Sequence, residues 1–218
     1  MEQIAEDRLG LSGMRLEAFI LALAAAWCAA AAAATADPVA AKADKGVLFG
    51  AYVEFGETED DVTLEGIEKF EKLAGKPVAI VASSSYWGEQ SFPSQNVGLI
   101  ARHGAVPLVF WSPWDKPYEQ WRGPDRFALT EILAGKWDAY IDAWADAAKA
   151  FGKPVLVSFC NEMNGDWFPW SGCFYGKADG GNEVFKKAWR HVVGRARARG
   201  ADNIRWVFHV NQFSVGTE

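Results

Sequence analysis

Three things are scarce in this 218-residue chain, and each scarcity excludes a class of protein. Cysteine occurs three times, at positions 28, 160 and 173, too rarely for a fold stapled by several disulfides. The three histidines, His103, His191 and His209, have no ligand spacing among themselves, so no metal site is predicted. Positive charge is the third. With 22 Lys and Arg against 28 Asp and Glu, the net charge is −6, leaving no basic footprint for nucleic acid and no polybasic patch for a membrane surface. A Gly-rich dinucleotide fingerprint is also missing, since Gly50-Ala51-Tyr52 lies within the first apolar run rather than after it. No cofactor is implied.

Hydrophobic residues, by contrast, make up half the chain, enough for one sizeable packed domain. Tryptophan is the anomaly, with 11 copies. Trp137, Trp144 and Trp189 sit on helical patterns, Trp206 in a late strand and Trp27 near the start. The other six (Trp87, Trp111, Trp114, Trp121, Trp167 and Trp170) fall at or after strand ends, where ligand walls are built.

The first residues read as a targeting segment. Ala18 to Ala34 is an apolar, Ala-rich run, and Ala34-Thr35-Ala36 before Asp37 has the small-x-small form of a signal-peptidase site. Residues 1–13 carry more acid than base, so Met14-Arg15 makes the better start. Residues 1–36 are therefore predicted to be a signal peptide, 37–45 a linker and 46–218 the domain. The product is expected to be secreted or periplasmic, with no membrane association after cleavage, because the run is short for a spanning anchor.

From Gly46 onward one unit recurs: an amphipathic helix ends in Gly, and an apolar run resumes. Ala74-Gly75-Lys76-Pro77-Val78 matches Phe151-Gly152-Lys153-Pro154-Val155, with looser copies at His103-Gly104 and Arg199-Gly200. Gly takes the left-handed conformation that ends a helix, and Pro opens a strand without losing a ladder bond. Strands are predicted near 47–53, 77–82, 106–111, 154–160 and 204–210, and helices near 61–74, 94–103, 137–151 and 183–199. Arg195, Arg197 and Arg199 read as a solvated helix end. Alternation implies a parallel sheet. A (β/α)8 TIM-type barrel fits better than an open nucleotide-binding sheet, because Tyr52, Trp87, Trp111, Glu162 and His209 come from the ends of different strands and could converge on one face.

The most informative stretch is Leu156 to Trp170, LVSFCNEMNGDWFPW. A buried apolar run stops in Asn161-Glu162-Met163-Asn164-Gly165 and enters a loop of aromatic residues. A Glu that merely caps the next helix would not need such company. A carboxyl beside flat rings suits a sugar, whose C–H face stacks and whose hydroxyls bond Asn and Glu. Cys160 and Cys173 bracket this loop; a bridge and two free thiols both remain open.

These pieces carry a resemblance. Gly50-x-Tyr52, Phe92-Pro93, Gly104-x-x-Pro107 leading to Trp111, Ile132-x-x-Gly135-x-x-Asp138, Glu162-Met163-Asn164-Gly165-x-Trp167 with Trp170, and Ala188-Trp189-Arg190-His191 run in the order seen in glycoside hydrolase family 26. From about Gly46 to Asn211 the chain resembles that family, whose best-known members are secreted β-mannanases. The resemblance implies retaining hydrolysis of a polysaccharide, β-1,4-mannan first, with Glu162 as the acid/base at the end of the fourth strand. Trp167 would be the sugar platform, with Asn161, Trp111, Trp170, Tyr52 and Trp87 as further substrate contacts. Two departures stand out. Ser158 and Asn161 occupy positions where the mannanases commonly carry Arg and His; Asn161 suits a sugar 2-hydroxyl, and β-glucan or β-1,3-xylan become alternative substrates. About five of eight β/α units are present, and the family's nucleophile, on the seventh strand, is not among these residues. A non-catalytic carbohydrate-binding relative is the alternative from another class.

Overall fold

The computed structural model describes residues 46–56, 60–115, 123–176 and 179–213. The predicted leader and linker, Met14, Trp27, Cys28, Trp121 and Glu218 lie outside the described residues.

Strands and helices alternate along the chain: β1 Gly50–Ala51, α1 Leu64–Ala74, β2 Ile80–Tyr86, α2 Ser94–His103, β3 Val106–Ser112, α3 Leu129–Leu133, α4 Asp138–Phe151, β4 Val155–Phe159, α5 Asp179–Ala198 and β5 Ile204–Trp206. The strands form one parallel sheet in the order β1-β2-β3-β4-β5. Each neighbour in the sheet is the next strand in sequence, the arrangement a barrel requires. The cap glycines expected from the repeats end their helices, with Gly75, Gly104 and Gly152 in the left-handed region after α1, α2 and α4.

Alternation across the pleat sorts the side chains into two sets. Val81, Val109, Trp111, Val157 and Phe159 point to the helix layer and are all buried. There Trp111 stacks on Trp144 of α4 with ring centroids 4.2 Å apart, and Trp87 packs against Trp111, Phe127 and Tyr140. The register pairs Ser84 with Phe110, and Phe110 with Ser158, placing these three side by side on the opposite face. A second cluster, including Phe55, Ile67, Val81 and Ile100, fills the space under α1 and α2.

Several boundaries differ from the sequence reading. β2 begins and ends later than expected. Pro77 has no N–H, the Val78 N–H goes to the Glu71 carboxylate at 2.8 Å, and the ladder opens only at Ile80. It then runs through Ser83-Ser84-Ser85, small side chains that pack where the pattern suggested a loop. β1 and β5 are shorter than expected, and each pairs on one side only among the described residues. The short α3 was not anticipated.

Arg195 and Arg199 are more than a solvated helix end. Arg195 grips Asp142 with both Nε and Nη2 (2.9 and 2.6 Å) and reaches Asp138, while Arg199 holds Asp146 the same way. His191 completes the row on Asp138 at 2.7 Å. Spacing of four places each series on one helix face, so α4 and α5 are laced along their length. Two pieces of the recognised pattern, ending at Asp138 and His191, thus meet. Cys160 and Cys173 are both free thiols; Cys160 is buried, and burial raises its pKa.

Candidate active site

The site is built where β4 ends. Cys160 and Glu162 both adopt positive φ, 54° and 52°, which non-glycine residues rarely do. The two left-handed residues break the pleat, and Asn161 and Glu162, which a regular strand would send to opposite faces, both line the same cleft. β3 and the segment that follows β5 hold the distorted residues, with Cys160 N–H donating to Trp111 O at 3.4 Å and Glu162 N–H to His209 O at 2.8 Å. Strain of this kind costs about 1 kcal/mol or more per residue and clusters at functional sites.

The Glu162 carboxyl is held at both oxygens. Trp167 Nε1 donates to Oε2 at 3.0 Å, and Asn211 Nδ2 donates to Oε1 at 3.1 Å. Gly165 is required by this arrangement, because a Cβ there would lie 2.4 Å from the Trp167 ring. The carboxyl opens on a cleft of about 260 Å³ lined by Tyr52, Ser84, Tyr86, Phe110, Ser112, Trp114, Asn161, Glu162, Phe168 and His209. Glu162 is the one carboxylate among these lining residues. Tyr52 Oη meets Ser84 Oγ at 3.2 Å and its ring packs edge-on to Phe110. His209 packs near Phe110, and its Nδ1 lies 3.3 Å from Ser158 Oγ, so the small residue at 158 leaves room for an imidazole. A larger groove of about 470 Å³ beside α1, bordered by Glu54, Lys69 and Leu73, shares no lining residue with this cleft.

Of the residues picked from sequence, Tyr52, Asn161 and Glu162 line the cleft and Trp167 touches its carboxyl. Trp87, Trp111 and Trp170 do not wall the cleft as expected. Trp87 and Trp111 are on the helix side of the sheet, 0% and 1% exposed, because Trp111 falls one residue out of phase with the cleft-facing Phe110 and Ser112. Trp170 is equally buried; its indole N–H donates to Asn161 O at 2.7 Å and its ring stacks on Phe168, so it props the loop from behind. Trp114, one of the six tryptophans placed at strand ends, does line the cleft; sequence reasoning missed Phe110 and Phe168 as lining residues and Asn211 as a partner of Glu162. Strand parity would have found Phe110; Asn211 carried no local signal.

The fold and cleft define a (β/α)8-barrel-type protein with its candidate site at the carboxyl ends of the parallel strands, where such barrels place ligands. Residues 130–218 match the model of glycosyl hydrolase family 26. The chain is 32% identical over 174 residues to Endoglucanase H of Acetivibrio thermocellus, an alignment covering 79% of this chain and 17% of that protein. Among solved structures it is similar to the Bacillus subtilis mannanase man26, with a TM-score of 0.56 and 19% identity over 73% of this chain and 55% of that one. A β-mannanase from a symbiotic protist of the termite Reticulitermes speratus, solved with a gluco-manno-oligosaccharide, gives a TM-score of 0.51 and 19% identity, covering 73% and 56%. The chain thus spans a little over half of the solved relatives and 17% of the curated one. The family model and the curated relative both point to a fragment of glycosyl hydrolase family 26, and the solved mannanases share its fold.

Proposed function

We propose that this chain supplies the acid/base half of an exported, retaining endo-β-glycoside hydrolase acting on β-1,4-mannan. The observation that carries the reading is the Glu162 carboxyl, oriented by an indole and an amide, opening on an aromatic-lined cleft at the strand ends. In the first step Glu162 protonates the departing glycosidic oxygen while a second carboxylate attacks the anomeric carbon to form a glycosyl-enzyme. In the second it takes a proton from water, which displaces that carboxylate with net retention. The attacking carboxylate must approach to about 5–5.5 Å of Glu162. No other carboxylate among the described residues lines the cleft; by the family resemblance the attacking group would stand on a seventh strand, and five strands are described. Asn161 would hold the sugar 2-hydroxyl, and Tyr52, Phe110 and Trp167 would present apolar or polar edges to the ring.

A second reading, β-glucan as the polymer, is favoured by the likeness to Endoglucanase H and by Ser158 and Asn161 standing where mannanases commonly carry Arg and His. It ranks second because the likeness covers a small share of a much longer protein. Export rests on the small-x-small site at Ala34-Thr35-Ala36.

The test assays the full-length gene product on galactomannan, mixed-linkage β-glucan and β-1,3-xylan, with the anomeric configuration of the first product followed by NMR. Fastest cleavage of galactomannan with retention is expected. Fastest cleavage of β-glucan transfers the substrate to the second reading; binding without cleavage of all three would establish a carbohydrate-binding relative and overturn the enzyme.

A further inference from the structure

The loop after β5 carries a group that no sequence motif singled out. Asn211 donates from Nδ2 to Glu162 Oε1 at 3.1 Å, while its Oδ1 accepts from the Phe213 N–H at 3.0 Å. That second bond settles the amide's orientation. Turned over, the NH2 group would face another N–H, two donors with no acceptor between them. The backbone of Asn211 is fixed in turn by Asn164, whose Oδ1 accepts from Asn211 N at 2.8 Å and whose Nδ2 donates to Asn211 O at 2.8 Å and Phe213 O at 3.1 Å. One primary amide thereby clasps the β4 and β5 loops together, and a second carries that register to the carboxyl. With Trp167 on the other oxygen, Glu162 is gripped from two loops.

We propose that Asn211, held by Asn164, is a positioning residue for proton transfer by Glu162: it fixes the plane of the carboxyl so that the departing oxygen is met at hydrogen-bonding distance. This rests on Glu162 being the acid/base. A misaimed acid costs most where the leaving group needs its proton, and little where the leaving group departs unaided. The physical signature is therefore a leaving-group dependence, which a general loss of folding would not produce.

The experiment uses the full-length gene product with the variants Asn211→Ala, Asn211→Asp and Glu162→Ala. kcat/KM is compared on the preferred β-glycan and on the matching 2,4-dinitrophenyl glycoside, with melting temperature as the fold control. Asn211→Asp keeps the acceptor for the Phe213 N–H, and so the turn, but presents a carboxylate oxygen to Glu162. Both Asn211 variants are expected to lose about 10- to 100-fold on the polymer and under about 3-fold on the activated glycoside. An equal loss on both substrates, or no loss on the polymer, overturns the role of Asn211. Glu162→Ala separates the two levels. If it too lacks leaving-group dependence, the acid/base reading falls; if it shows the dependence while the Asn211 variants do not, only the present inference falls.

Discussion

The two faces of the sheet use the same aromatic vocabulary for opposite purposes. On the helix side Trp87, Trp111, Trp144 and Phe159 pack ring on ring and are essentially without solvent contact. On the cleft side Tyr52 is 41% exposed, and Phe110 and Phe168 are half-buried around Ser84, Ser112, Asn161, Glu162 and His209. Counting rings near strand ends cannot separate these populations. Phase within the strand does, since adjacent residues point to opposite faces. The cleft face is the mixed one, combining rings with hydroxyls, amides and one carboxyl, which is what a sugar with apolar and polar edges requires.

If this division is right, substitutions on the two faces should damage different properties. The largest effect is expected from Glu162→Ala in the full-length protein. Polysaccharide turnover should fall about 10²- to 10⁴-fold, the usual worth of general acid–base catalysis, with the melting temperature nearly unchanged. Trp111→Ala comes next and should act on stability. Removing an indole that stacks on Trp144 and donates to Tyr140 Oη at 3.0 Å should cost about 3–5 kcal/mol in denaturant unfolding. A Trp111→Ala protein as stable as wild type but unable to bind sugar would reverse the assignment of the faces.

Smaller effects sharpen the comparison further. Tyr52→Phe removes a hydroxyl paired with Ser84 at a half-open position; it should cost under about 1 kcal/mol of stability yet raise KM for the polymer. The smallest concerns Glu71, far from the cleft. The His103 ring and the Val78 N–H, in that order, hold its carboxyl below the ordinary 4.5. The folded state thus binds a proton less readily than the unfolded chain. This contact stabilises the fold above pH about 4.5 and its contribution disappears as pH falls through the lower folded value. Glu71→Gln should flatten that part of the thermal-stability profile between pH 5 and 3, and an unaltered profile would remove the contact from the account.

Much of the frame was legible in the sequence because its signals are local. Gly75, Gly104 and Gly152 mark helix ends through one residue's conformation, and helical stripes such as Ile141, Trp144 and Ala148 repeat within a few turns. The stop at Asn161-Glu162 was equally local. What escaped depends on register between strands. The run Ser83-Ser84-Ser85 looks like a loop until its amides are paired with β3, and Trp111 looks like a ligand wall until Phe110 is placed opposite Ser158. Arg195 in α5 and Arg199 just past its end needed their partners on α4, more than fifty residues away in sequence. Asn211 needed both the end of β5 and the turn at Glu162 before its amide had anything to hold.

The central claim, that saccharide meets the Glu162 face and not the tryptophan-rich one, is tested most directly by following tryptophan indole N–H resonances of the full-length protein while titrating a thio-linked β-1,4-manno-oligosaccharide that resists hydrolysis. The account predicts a saturable shift of the Trp167 signal with Trp87 and Trp111 unmoved. Shifts of Trp87 and Trp111 with Trp167 silent would contradict it.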